Sequence, residues 1–221
     1  MAILGSLPGT AKETRPIDGR PLFNDIFNPE TYFPFGWRSA SVNELILTVR
    51  VSARDDILPA YALAIAYVCT PAGENRMSCD HVARMLRVPH APGEEFSAAL
   101  NLAAAVQQAT SKQQRNAALE KAELEWVETS LWTCEGAIEA FDRLATDADW
   151  QPNLHYSRLK LEHRDLILHP AQMWIKMQGE FRIASYEGWR NNAGASGGVN
   201  QLVATLDKCW QPAKAPPPWK I

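Results

Sequence analysis

The stretch Leu45-Ile46-Leu47-Thr48-Val49-Arg50-Val51 reads two ways, and the fold turns on which one is taken. Its β-branched residues and partial alternation suit a strand. Immediately before it, Ser41-Val42-Asn43-Glu44 has capping-box spacing, hydroxyl and carboxylate each placed to accept from a free N–H of a first helical turn. Val42, Ile46, Val49 and Ala53 then fall on one helical stripe. The helical reading is adopted, with minor β structure allowed near residues 44–52 and 157–168.

Working outward, Asp55-Asp56 followed by Pro59 resembles a second helix start, with acids at the positive end of the dipole and proline in the first turn. Residues 57–69 continue as helix. Pro71-Ala72-Gly73 marks a turn, Ser78 caps a short helix through Val88, and Pro89 to Gly93 ends it. Glu94 and Glu95 open another helix with Phe96, Leu100, Ala103 and Ala104 on its apolar face. In the polar run that follows, Ser111 is a helix cap or part of a solvated turn. The most regular pattern is Leu124, Val127, Leu131, Cys134, Ile138, Phe141 and Ala145, spaced alternately 3 and 4 residues apart, which is a helix seam. Residues 154–168 fit a helix or strands. Pro170 opens a helix carrying Met173, Met177, Phe181 and Ala184, and the link Gly194 to Gly198 leads to a short one with Val199, Leu202, Val203 and Leu206.

The expected fold class is therefore mainly α: a bundle-like helical body over residues 41–209, flanked by extended arms. Residues 1–40 form an aromatic, Pro-rich N-terminal arm, and residues 210–221 a Pro-rich C-terminal tail. The arm carries Phe23, Phe27, Tyr32, Phe33, Phe35 and Trp37, a composition that does not stay in water. Something must cover these rings.

Composition bounds the function classes. With 221 residues, 46% apolar and 21% charged, the chain can bury one ordinary core. A net charge of -3, from 22 basic and 25 acidic residues, gives no global field for nucleic acid or anionic membrane. The most apolar run, Ile57 to Cys69, contains Pro59 and is too short to span a bilayer. Residues 1–16 lack the basic-then-apolar pattern of a secretory signal, so Cys69, Cys79, Cys134 and Cys209 are expected as reduced thiols in a cytoplasmic setting.

Candidate chemistry is sparse. Cys79-Asp80-His81 is the closest Cys-His pair, but no Cys-x-x-Cys supports a zinc site, and neither metal nor cofactor is expected. Glu135 and Glu139 lie off the apolar seam, as a solvated face does. His155, His163 and His169 lie near Glu162 and Asp165 and suggest an acid/base or ligand site, with no nucleophile motif beside them. Gly194 to Gly198 before a helix suits a phosphate cradle or a plain linker. Residues 81–88 resemble the start of a helix-turn-helix, which Pro89, Pro92, Glu94 and Glu95 spoil.

What remains is shape, and the expectation is a non-enzymatic structural or adaptor subunit of a larger assembly. In it, Phe23, Phe27, Tyr32, Phe33, Phe35, Trp37 and Trp219 pack on other protein subunits, including copies of the chain itself. A small enzyme or ligand-binding protein using His155, His163 and His169 is the alternative. A nucleic-acid binder using Arg84, Arg87, Lys176, Arg182 and Arg190 is a third.

Overall fold

A computed structural model describes residues 17–33, 44–54, 58–73, 76–91, 93–146, 148, 150, 171–179 and 182–220. Leu45–Val51 is a strand, and the mainly α expectation falls with it. β1 (Glu44–Arg54), β2 (Leu58–Pro71) and β3 (Met77–Arg87) form an antiparallel meander, each replacing an expected helix. β4 (Glu125–Ser130) joins β3, while β5 (Gln172–Gly179) and β6 (Arg182–Trp189) form a hairpin that joins β1. With β7 (Gln211–Pro212), the seven-stranded sheet has the order β6-β5-β1-β2-β3-β4-β7, antiparallel throughout. The chain is thus not all-α but a large antiparallel sheet with helices on both faces.

The physical reason lies in β2. Residues 58–66 are buried without interruption, because the strand is central and both its faces are covered. A strand buried on two faces shows no polar alternation, so its sequence imitates a core helix. The alternation is one of size instead. Tyr61, Leu63 and Ile65 point to one side, and Ala62, Ala64 and Ala66 to the other.

On the bulky side, rows of directly paired residues cross the sheet, for example Tyr186, Ile175, Val49, Leu63, Met85 and Val127. α4 (Ala137–Thr146) and α5 (Gly194–Leu206) cover them. α4 buries Ala137, Ala140, Phe141 and Leu144 at helical spacing, and α5 buries Ala195, Val199, Leu202 and Leu206. Gly194 to Gly198 is therefore the first turn of α5 rather than a link. A Cβ at Gly198 would lie 2.9 Å from Leu144 Cδ1, and one at Gly197 would lie 2.6 Å from the Asn192 carbonyl oxygen. These glycines serve close packing of α5 rather than a phosphate cradle.

On the alanine side lie the N-terminal segment, α2 (Glu95–Gln108) and α3 (Lys112–Lys121). α2 arises where the sequence placed it, and Ser111 is the cap of α3, its Oγ accepting from Gln114 N at 3.2 Å. The arm is not extended in its described part: Arg20–Asp25 form α1, and Pro29–Thr31 a 3-10 turn. The expected helical seam at 124–145 splits between the two sides. Leu124 and Trp126 pack with the arm, while Val127, Leu131, Cys134 and Phe141 pack with α4 and α5. One helix stripe cannot serve opposite faces of a sheet. The stretch is a strand, a turn with Gly136 at φ +79°, and only then a helix.

The four cysteines, expected as reduced thiols, are paired. Cys69 and Cys79 face each other across β2 and β3 with Cα atoms 4.0 Å apart, on the part of the hairpin that extends beyond β1 and β4. Cys134 and Cys209 tie the turn before α4 to the end of α5, closing a sequence separation of 75. By chain entropy the short link is worth about 3 kcal/mol and the long one about 4 kcal/mol. Among the described residues no helix is long and apolar enough to cross a membrane.

Tyr61 offers a test of the bulky face. Its hydroxyl is buried without a hydrogen-bond partner among the described residues, and burial pushes its pKa from 10.0 up to about 12. The folded state therefore holds this proton where the unfolded chain releases it. Its contribution is complete below pH 10 and is lost as pH rises through about 12. Tyr61→Phe should cost little or add up to about 1 kcal/mol near neutral pH, since it removes an unsatisfied polar atom. Denaturant unfolding in alkali should show a shallower loss for the variant, with burial of Tyr32 maintaining part of it. A large loss near neutral pH would mean the hydroxyl has a partner.

Candidate functional site

The arm and the sheet meet along two rows on the alanine side. One row runs Glu187, Trp174, Arg50, Ala62, Leu86, Trp126 from β6 to β4, and the next runs Ser185, Lys176, Thr48, Ala64, Arg84, Glu128. Residues in one row are direct neighbours across strands, with Cβ atoms about 5 Å apart. The alanines form a low floor in the middle on which the aromatic arm lies. Phe23, Phe27, Tyr32 and Phe33, expected to pack on neighbouring subunits, are all buried here in the chain's own body, with Phe27 wholly enclosed.

Large side chains hold the arm at both margins of that floor. Toward β4, the Tyr32 ring meets Trp126 edge-on at 4.8 Å. Arg84 donates from Nη1 to the Tyr32 carbonyl at 2.7 Å and from Nε to Glu128 at 3.1 Å, and lies 4.3 Å over the Phe33 ring. Toward β5, Phe23 meets the edge of Trp174 at 5.8 Å, and Lys176 Nζ lies 3.7 Å from Glu30. Trp219 is also buried in this layer, while Trp126 Nε1 donates to the Ala215 carbonyl at 2.9 Å and so fastens the tail. Phe35 and Trp37 lie outside the described residues, as do His155, His163 and His169.

Between the arm and the β6 edge no described element covers the same rows, and a cleft of about 330 Å³ lies there. Its floor is Thr48, Arg50, Trp174, Lys176, Ser185 and Glu187, and its wall is Asn24, Asn28, Pro29 and Glu30. The Arg50 guanidinium lies 5.8 Å over the Trp174 ring. Among the described residues neither Arg50 nor Glu187 makes an ion pair, and the Lys176–Glu30 pair is more than half exposed on both sides. Arg50 and Glu187 therefore stabilise the fold little, and so does the exposed Lys176–Glu30 pair, because exposed pairs are worth 0 to about 1 kcal/mol. They remain available to a solute.

Other candidate chemistry is taken up by the fold. The Cys79 sulfur is in a disulfide, so the Cys79-Asp80-His81 pair lacks its thiolate, and the described residues contain no group of three or more side chains suited to a metal ion. Arg84 and Arg87 face Glu128 and Glu125, and Arg190 faces Glu95 at 3.0 Å. Together with Lys176, these basic residues all lie beside carboxylates rather than standing free for phosphates, and the Arg182 side chain lies outside the described residues. A separate surface feature sits by the stapled hairpin. Tyr67, Met77 and Trp132 are exposed, and the Tyr67 and Trp132 rings flank His81 at 5.3 and 6.0 Å.

Compared with known proteins, the chain matches no family model, no curated protein and no solved structure. The site therefore stands on its own geometry. Sequence reading missed Arg50, Trp174 and Glu187 because they meet only through strand register. Alternation of Trp174 and Lys176 with Met173, Ile175 and Met177 was the available signal, and the helical reading of 171–184 hid it.

The two arginines of these rows should separate experimentally. Arg84 is enclosed with its partner, their side chains 18% and 15% exposed, so Arg84→Gln leaves Glu128 and a carbonyl unpaired and should cost about 2 to 4 kcal/mol. Arg50→Gln should stay within about 0.5 kcal/mol. Urea midpoints at constant slope measure both; equal losses would mean that Arg50 is structural.

Proposed function

We propose that this chain is a non-enzymatic binding protein for a small polar solute, received in the cleft between the arm and the β1, β5 and β6 rows. The observation that carries this reading is the pairing state of its charges: among the described residues Arg50 and Glu187 have no ion partner, and they stand beside a tryptophan in a concavity of ligand size. The arm is then a wall of the site. Ligand binding was an expectation for the histidine region; here it rests on other residues. The two disulfides support an oxidising compartment in place of the cytoplasmic setting read from the unpaired thiols.

A thermal-shift screen of sugars, organic acids, amines and amino acids checks this. A solute at about 100 times its Kd adds about 2.7 kcal/mol to stability. At least one class should raise the melting temperature of the wild type and lose that effect in Arg50→Gln with Trp174→Ala. Shifts unchanged by that pair of substitutions would place binding elsewhere.

A second reading, the structural or adaptor subunit of a protein assembly, draws on the hairpin patch. Tyr67 and Trp132, 37% and 64% exposed, flank His81 at one end of the sheet, and Met77, 51% exposed, lies further along the same hairpin. Assembly through this patch uses none of the arm aromatics. Light scattering should then find a species larger than the 24.6 kDa chain, reduced to monomer by Trp132→Ser with Tyr67→Ser. A wild-type monomer across the concentration range would remove this reading.

A further inference from the structure

Arg50, Trp174 and Glu187 lie in one row on three adjacent strands, so a cation and an anion face the same cleft with an indole between them. The backbones of β1 and β6 are about 10 Å apart across β5, at about 4.8 Å per strand. The two charges do not pair with each other, and neither pairs with any other described residue. We propose that the solute is dipolar, carrying one carboxylate and one primary ammonium as a free amino acid does, with the carboxylate on Arg50 and the ammonium on Glu187. This rests on the binding reading above and names its ligand class.

Charge satisfaction selects the ligand class. Any solute that fills the cleft removes water from both side chains. A neutral polyol leaves a guanidinium and a carboxylate desolvated without counter-charge, and a simple anion leaves Glu187 facing it unpaired. Only a molecule carrying both charges satisfies the two ends at once. Arg50 presents a planar fork that suits a carboxylate in bidentate contact. Trp174 suits the apolar portion between the charges, and its ring attracts an ammonium that approaches from the Glu187 side. Phe23 holds the indole from the arm side, so the platform is set before a ligand arrives. Lys176 has Glu30 beside it, so this second pair adds no net charge to the cleft. The volume of about 330 Å³ suits a single amino acid or a very short peptide.

The test is a titration of the full chain, followed by isothermal calorimetry and backbone amide shifts. The probes are individual L-amino acids, the hydroxy acid and the amine that match each one, and glucose as a neutral polyol. At least one amino acid should bind about tenfold or more tighter than its hydroxy acid and its amine, with shifts at residues 48–50, 174–176 and 185–187. Arg50→Gln should weaken the amino acid and the hydroxy acid alike. Glu187→Gln should bring the amino acid down to the level of its hydroxy acid. Equal binding of amino acid and hydroxy acid in the wild type overturns the dipolar inference and leaves the cleft reading standing, as does binding of glucose alone at those residues. Shifts confined to other surfaces, or no binding by any probe, overturn both.

Discussion

β2 is closed to water on both faces from Leu58 to Ala66, and the rest of the molecule is arranged around keeping it so. One face presents Tyr61, Leu63 and Ile65 to α4 and α5. The other presents alanines, which bury little surface themselves but let another layer approach the sheet closely. The arm is that layer. Its rings fill the trough above Ala62 and Ala64, and Arg84 clamps it by bonding its backbone and lying over its last described ring. Removing the arm would expose both the trough and the aromatics that fill it.

The same arrangement creates the cleft. Where the floor residues are alanines the arm sits down on the sheet, and where Trp174 and Lys176 rise from β5 it stops. The rows continue beyond it toward β6 with polar and charged residues that no described element covers. Fold stability and candidate function thus occupy the two halves of the same strand rows. In one half Arg84 is enclosed and paired; in the other Arg50, one row and two strands away, is partly exposed and has no ion partner among the described residues.

What the sequence made legible was burial rather than geometry. Phe23, Phe27, Tyr32 and Phe33 had to be covered, and they are; Leu131, Cys134, Phe141 and Trp219 are likewise buried. α2 and the part of α5 after Gly198 were readable from apolar residues that recur at helical spacing, while Ser111, open to reading as a cap or a solvated turn, is the cap of α3. β2 was not, because apolar residues on both faces erase the period that separates strand from helix. The 124–145 seam misled because a strand end, a turn and a helix happened to bring residues of helical spacing to buried positions, while Leu124 went to the other side of the sheet. The disulfides were invisible for a related reason. Cys69 and Cys79 become neighbours only once β2 and β3 are paired in register. Arg50, Trp174 and Glu187 are distant in sequence and meet only across three strands.

The central claim is that the arm covers its own chain, so that the trough and the cleft belong to one molecule. Isotope-filtered nuclear Overhauser spectroscopy on an equal mixture of labelled and unlabelled protein tests it most directly, because the filter passes only contacts between chains. The pairs to follow are Phe23 with Trp174 and Tyr32 with Trp126, whose ring centroids are 5.8 and 4.8 Å apart. The account predicts both contacts in the unfiltered spectrum and neither in the filtered one. Their appearance in the filtered spectrum would mean that the arm crosses to a neighbour, and would contradict it.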